Sequence, residues 1–478
     1  MPPSGGFFMG VLMQIPILSG IFADNNSDFR TYYPRNLIPV PKEQGLSNGY
    51  LRPAEGIDFF ANISGLDRGG INWNGTCYRV CGNKLAQINR DGTVIELGEV
   101  LGTGFCNFDY SFDYLAINSY PNLYLYKPGA GLRQVTDSDL GIVKDVVWID
   151  GYFMTTDGNA LVITELNDPF AVNPLKYGSS EADPDPINAL FKLRNEVYAL
   201  NRYTIEVFDN VGGDNFPFSR IDGAMSIRGT LAPNTCCLYI DTIAFLGSSK
   251  NEPISVYLSA NGSSQKIATR EIDQILKSYS EEQLSKCLVE SRIVDGHQWL
   301  YIHLPDKTLV YDAAASQATS QQVWFFLCSG FGENQYLARN HVWCYDKWIV
   351  GHPNQNKLGT LTNTHGEHWG EVIEWDFASS ILYNESRGAI FHQLELVALA
   401  GRTLFGGSPT ICTQYSIDGV DWSNPKYISA GKFGQRDKRL VWFQQGHMNN
   451  WRIQRFTGTS ESRLSIARLE AQIEPLGV

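Results

Sequence analysis

The chain has 478 residues, 43% apolar and 12% aromatic, with 45 glycines and only 18% charged residues, apolar material enough for a large core or two to three domains. Its net charge of −12 argues against a sequence-independent clamp on nucleic acid, which needs Lys and Arg to displace counterions from phosphates. Abundant Tyr, Phe, Trp, Gly and Asn with few charges predict many short strands joined by tight turns.

Residues 7–22, FFMGVLMQIPILSGIF, have the apolar look of a leader. No Lys or Arg precedes Arg30, and Pro16 interrupts the run, so the basic flank of a secretory signal is missing. The run is also too short to cross a bilayer as a helix. It reads as an N-terminal arm that buries itself in this protein or in a neighbouring copy. No other stretch resembles a membrane span.

Repetition follows. Residues 71–97 read INWNGTCYRVCGNKLAQINRDGTVIEL, with apolar runs separated by Asn74-Gly75, Gly82-Asn83 and Asp91-Gly92, pairs that suit two-residue hairpins. Turns this close imply a meander, and four such strands make a propeller blade. Comparable blocks occupy 105–136, 143–177, 186–221, 236–268, 288–329 and 335–376. The strand after the first turn recurs near Tyr78, Leu115, Phe153, Val197, Ile243, Leu300 and Trp348, a spacing of about 40–55 residues that fits propeller repeats. The expected fold is all-β, a six- or seven-bladed β-propeller. A set of β-sandwiches with similar turn spacing is the competing pattern.

Two stretches break the β pattern. Residues 267–287 predict a short helical insertion with Ile272, Ile275 and Leu276 on one face, and Ser280 to Gln283 has capping-box spacing. Residues 166–187, with Pro169, Pro174, Pro184 and Pro186 among acids, predict a long acidic loop of the kind that makes contacts. The strand-like runs beyond residue 390 lack blade spacing and predict a separate β-sandwich-like domain. The expected division is 1–57 as arm and first strands, 58–385 as propeller, and 386–478 as sandwich.

Charge is uneven along the chain. Residues 426–478 hold nine Lys/Arg and four acids, a net +5, against −17 for residues 1–425. This stretch is either an ordinarily solvated β-domain or a docking surface for an acidic partner. The nine cysteines, Cys77, Cys81, Cys106, Cys236, Cys237, Cys287, Cys328, Cys344 and Cys412, are odd in number and scattered, which predicts buried thiols rather than a disulfide framework and fits synthesis in a cytoplasm.

No reactive motif stands out. Ser416, Asp418, Gly419 and Trp422 approximate an Asp-box one residue short, which is a structural hairpin even when complete. His365 and His368, with Glu367 and Glu371, lack the helical His-Glu-x-x-His order of a zinc site and read as a polar turn. There is no Gly-rich phosphate loop followed by Lys, no Gly-x-Ser-x-Gly elbow and no His/Cys set at zinc spacing. Glu281 and Glu282 fall on a helix surface. The sequence therefore predicts no catalytic residues, no cofactor and no metal.

A colinear series of short strings runs from about residue 14 to the C-terminus: Ile15-Pro16, Tyr33, Asn36, Pro41-Lys42 and Gly49-Tyr50-Leu51-Arg52; Tyr78-Arg79-Val80-Cys81-Gly82 and Lys84-Leu85; Ile163-Thr164-Glu165-Leu166; Ile254-Ser255-Val256-Tyr257; Asp295-Gly296-His297, Ile302-His303-Leu304-Pro305 and Leu309-Val310-Tyr311-Asp312-Ala313; Asp437-Lys438-Arg439 and Val441-Trp442. In these blocks the chain resembles the tail hub, or nozzle, family of short-tailed bacteriophages, also called packaged DNA stabilisation proteins. Pro34-Arg35 departs from the apolar pair more usual there.

The resemblance implies a propeller-bearing virion protein that forms a hexameric ring below the portal and head–tail adaptor. It implies lateral sites for a tailspike or tail fibre and a distal seat for a needle or plug. Such a hub retains packaged double-stranded DNA, then conducts it during ejection without sequence-specific binding, and catalyses nothing. An acidic body suits a passage that must not grip phosphates. The basic C-terminal stretch then belongs against protein, with Arg436, Lys438 and Arg439 as the expected inter-subunit or adaptor interface. Trp343, Trp348, Trp369 and Trp375 are further candidates for ring contacts, with core packing the plainer expectation. The reading from another class is a glycan-binding or glycan-hydrolysing propeller, sialidase-like or lectin, which would gather acids and an Arg cluster at one end.

Overall fold

Asn74 and Gly75 take φ angles of 51° and 77°, the left-handed values that a tight hairpin turn demands. They join Asp67–Trp73 to Thr76–Cys81, and Lys84–Ile88 and Val94–Glu99 complete a four-stranded antiparallel meander. The computed structural model describes residues 11–18, 20–23, 29–42, 47–166, 168–180, 182–384, 387–403 and 406–476. They divide into two compact units. One comprises residues 59–305 and 337–361; the other comprises residues up to 58, 306–336 and 362–478.

In the first unit the meander repeats. The second sheet is Asn107–Tyr110, Leu115–Ser119, Asn122–Lys127 and Gly131–Gln134; the third is Asp145–Ile149, Tyr152–Thr156, Ala160–Glu165 and Asp168–Ser179; the fourth is Ile187–Leu193, Glu196–Asn201, Ile205–Asn210 and Phe218–Arg220. The fifth runs Gly229–Thr230, Thr242–Ser248, Ser255–Ala260 and Ser263–Lys266, with Cys236–Tyr239 also paired to Thr242–Ser248. The sixth contributes the hairpin Leu288–Val294/His297–His303. The seventh is Arg339–Cys344, Lys347–Gly351 and Lys357–Thr362, closed on its outer side by Gly56–Asn62 from early in the chain. Buried apolar clusters lie between consecutive sheets, for example Val80, Leu85, Leu115, Ile117 and Tyr126 between the first and second, and Ala61, Cys81, Ala86, Ile349 and Leu358 between the seventh and first. The seven leading strands, beginning at Asp67, Asn107, Asp145, Ile187, Cys236, Leu288 and Arg339, contact one another in order, and the last returns to the first. Such a cycle is a β-propeller, and the strand near the start of the chain latches its last sheet.

The second unit contains a β-sandwich. One sheet has the order Leu37–Pro41, Gly49–Pro53, Ser465–Pro475, Ala389–Leu399, Leu440–Phe443; the facing sheet has Glu374–Ala378, Trp451–Thr459, Thr410–Ser416, Lys426–Ser429. Their apolar faces meet around Trp375, Phe377, Phe391, Leu394, Trp442, Phe456 and Leu469. Part of the N-terminal arm joins this core: Val11–Ile15 pairs antiparallel with Ser465–Pro475, and Ile15 and Ile17 are buried in the cluster. Residues 7–10 of the arm lie outside the described residues.

The helical insertion forms as Arg270–Lys277 and Glu281–Ser285. Gln283 N donates to Ser280 Oγ at 3.2 Å and Ser280 N to Gln283 Oε1 at 2.9 Å, the reciprocal capping box. The expected acidic loop is different: Asp168–Ser179 is a strand on the outer edge of its sheet. Pro169 and Pro174 are accommodated because the ladder to Ala160–Glu165 shifts register twice there, and an edge strand tolerates a missing N–H.

Because Ile15 tethers the arm, Ile15→Ala should lower the stability of the sandwich by about 2–5 kcal/mol. The shift of the urea midpoint for that unit, followed by near-ultraviolet circular dichroism, measures it.

Candidate functional site

The inward edge of each leading strand has no further strand to pair with, so its N–H and C=O groups need other partners. Backbone groups and polar side chains of neighbouring sheets supply them. Between the first and second sheets, Cys106 N donates to Arg68 O at 2.7 Å, and Arg68 Nη2 donates to Ser119 Oγ at 2.7 Å. Between the second and third, Trp148 N donates to Asp109 Oδ2 at 2.6 Å and Asn107 Nδ2 to Asp145 Oδ1 at 2.9 Å. Leu190 N donates to Asp145 Oδ2 at 2.8 Å at the next junction. Asn188 Nδ2 then bonds Thr230 O at 2.9 Å, and Ser291 Oγ bonds Leu238 O at 2.7 Å.

Glu290 spans the sixth junction. It accepts from Asn340 N at 3.1 Å and His341 N at 2.7 Å through its backbone-facing oxygens, and Oε1 also lies 2.6 Å from His303 Nε2 and 2.8 Å from His341 Nδ1. The ring closes at Asp67, which is fully buried with Arg79, both side chains 0% exposed. Arg79 Nη1 donates to Asp67 Oδ2 at 2.9 Å, while Nη2 reaches Asn340 O and Ile349 O; Asn340 Nδ2 donates to the same carboxylate at 2.7 Å.

Burial sets the protonation of these acids. It pushes Asp145 up to about 7, against the lowering effect of its N–H donors, and raises Asp109 in the same way. Burial also works against Glu290, but His341 and His303 hold it well below the ordinary carboxylate range. Burial pushes His341 down, so it serves as a neutral N–H donor to an ionised Glu290.

The sequence motifs set aside as turns are turns. Asp418 Oδ1 accepts from Val420 N and Asp421 N, each at 2.9 Å, and Gly419 N donates to Ser416 Oγ at 2.7 Å. His365 pairs with Asp58 at 2.7 Å, while His368 is buried and bonds Ser329 Oγ at 2.7 Å. Burial lowers His368 to about 4.

A family model described as bacteriophage P22 Gp10, β-propeller, matches residues 13–366. A second, bacteriophage P22 Gp10, β-sandwich, matches residues 374–474. The chain belongs to the bacteriophage P22 Gp10 family. It is 26% identical over 468 residues to the tail hub protein gp10 of Salmonella phage P22, covering 94% of this chain and 95% of that one. Among solved structures, the Pan2 WD40 domain of Neurospora crassa is 10% identical with a TM-score of 0.44, covering 64% of this chain and 95% of that domain. The N-terminal domain of Nup159 is also 10% identical, with a TM-score of 0.40 over 68% and 97% of the respective chains. As a Gp10-family protein this chain is a structural tail hub component of a phage virion and not an enzyme.

The Gp10-like strings acquire physical reasons. Tyr78-Arg79-Val80-Cys81-Gly82 carries the Arg79 clasp, and Gly82, at φ 59°, lies so close to Gly65 that a Cβ on Gly65 would meet its Cα at 2.6 Å. Asn36, at φ 54°, donates to Glu374 O at 2.7 Å and accepts from Cys328 N at 3.0 Å. The departure at Pro34-Arg35 is answered inside the chain: Arg35 Nη2 sits 2.6 Å from Asp376 and 2.7 Å from Glu374. All nine cysteines are free thiols, seven of them buried.

Of the predicted interface residues, Arg436 and Arg439 are exposed and Lys438 is half-buried. Arg439 is neutralised in place by Glu395 through Nε at 2.8 Å and a second bond from Nη2. Other cations of the basic stretch are also engaged internally. Arg452 is fully buried against Gln454 and Gln445 O, and Arg455 donates to Gln414 while stacking over Trp422. Trp375 is core, whereas Trp343 is exposed and packs on Trp348.

Two outcomes follow from the clasped junctions. Arg79→Met should destabilise the propeller by about 3–5 kcal/mol, because it strands the buried Asp67 charge; adding Asp67→Asn should recover part of the loss, as a double-mutant cycle in urea would show. Asp145 has a folded pKa of about 7, above an unfolded value of about 3.9. The folded state thus holds the extra proton, and stability drains as pH rises from about 4 through about 7. Relative to Asp145→Asn, the wild type should lose stability across that window and then level off; a pH series of melting temperatures for both proteins checks the slope.

Proposed function

We propose that this chain is a ring-forming tail hub that closes the DNA exit channel after packaging and later conducts the genome outward. The observation that carries the reading is the use of the propeller's buried acids. Asp67, Asp109, Asp145 and Glu290 each accept hydrogen bonds across a junction. They are committed to holding sheets together and are not gathered with a nucleophile around a substrate. A rigid, passive part with an excess of negative charge neither grips a duplex nor cuts it.

In this proposal six copies form the ring, seated below the portal and adaptor, with lateral sites for spikes or fibres and a distal seat for a needle or plug. The propeller has seven blades and the 386–478 region is the sandwich side of the hub. Arg436 and Lys438 contact an acidic face of the adaptor or a neighbouring copy, since Arg439 is already paired to Glu395. Ring assembly needs repeated complementary side surfaces, and exposed Trp343 is an apolar candidate for one.

Heads packaged without the hub should lose DNA to nuclease, and added protein should protect it. The variant Arg436→Glu with Lys438→Glu should fold normally and protect at least tenfold less at equal concentration. Full protection by the variant would remove this interface, and failure of the wild-type protein to bind heads or retain DNA would remove the proposal.

A further inference from the structure

The Glu290 junction differs from the other six in carrying two imidazoles. We propose that Glu290, His303 and His341 form a binding site for one divalent transition-metal ion of the zinc type, clipping the sixth sheet to the seventh. One ligand atom from each residue lies within 4.8 Å of the others. Antiparallel pairing sets Glu290 opposite Tyr301 and Leu288 opposite His303, so Glu290 and His303 are diagonal neighbours on one sheet face, within reach of long side chains. His341 comes from the leading strand of the next sheet.

A carboxylate oxygen with two imidazole nitrogens is a donor set suited to zinc, leaving one tetrahedral position for water. Magnesium and calcium want more oxygen ligands than the cluster offers. The supporting shell is already built: Asn340 N and His341 N fix the carboxylate, and the Tyr301 ring packs against both imidazoles, 5.9 Å from His303 and 4.8 Å from His341. Such outer partners hold ligands in place. Side-chain exposures of 14% for Glu290 and 10% for His303 leave a path for a small ion.

Entry exchanges hydrogen bonds for coordination. Oxygen and nitrogen now stand 2.6 and 2.8 Å apart, whereas ligands around a tetrahedral zinc ion stand about 3.3 Å apart. The carboxylate must therefore retreat a few tenths of an ångström, and each neutral imidazole must carry its proton on the ring nitrogen turned away from Glu290, a tautomer shift that releases no net proton. Arg292 and Arg339 act electrostatically on the same groups and weaken the site for any cation, which favours ions with a strong preference for imidazole.

The test uses the full-length protein stripped with chelator and titrated with Zn²⁺ or Co²⁺. We expect one equivalent to bind, the melting temperature to rise, and the cobalt form to show the intense visible bands of tetrahedral coordination. His303→Gln keeps a hydrogen bond to Glu290 while removing a strong ligand; it should melt like the wild type in chelator yet bind at least tenfold more weakly and lose the cobalt bands. Absence of saturable binding by the wild type, or equal binding by His303→Gln, would overturn the proposal.

Discussion

Hydrogen bonds that cross from one leading strand to the next are the constraint on which the propeller rests. A meander sheet satisfies its own backbone except along the edge that faces the axis. Leaving those groups dry and unpaired would cost about 1–3 kcal/mol each. At several junctions the chain answers with acids on the leading strand: Asp109 for Trp148, Asp145 for Leu190, Glu290 for Asn340 and His341. Each bond ties a leading strand to its neighbour in the cycle of contacts. Asp67 and Arg79 then join the last sheet to the first.

The same economy explains why so acidic a chain offers no chemistry. Its buried junction carboxylates accept from N–H donors, and its buried guanidiniums engage carboxylates, carbonyls and aromatic faces. Arg35 with Asp376 and Glu374, and Arg452 over Phe391 and Tyr415, repeat the pattern in the sandwich-bearing unit. Polar groups that might have been reactive are structural, which suits a virion part whose work is mechanical.

Much of this was legible in the sequence, for local reasons. Asn74-Gly75 and the capping box at Ser280 act within a few residues, and both formed as read. Repeat spacing made the meander visible because the second to fourth sheets, among others, are each one uninterrupted segment. The resemblance to tail hubs rested on strings such as Tyr78 to Gly82, where one arginine and one glycine are fixed by packing. What escaped was set by distant partners. The prolines at 169 and 174 suggested a loop, yet an outer edge with a shifting register absorbs them. The junction acids are scattered at intervals that follow no motif, and Glu290, His303 and His341 meet only because two sheets adjoin. The net positive charge of the C-terminal stretch does not say which cations have partners: Arg452 is buried on Gln454, and exposed Arg439 is paired with Glu395.

Side-chain acceptors at the junctions lock the leading strands into one closed ring. Residue-resolved native-state hydrogen exchange measures this directly at the amides of Trp148, Leu190, Asn340 and His341. Locked junctions require these amides to exchange as slowly as the central strands of the sheets, opening only when the whole ring opens. Exchange at rates typical of exposed loops, with the sheet interiors still protected, would contradict it.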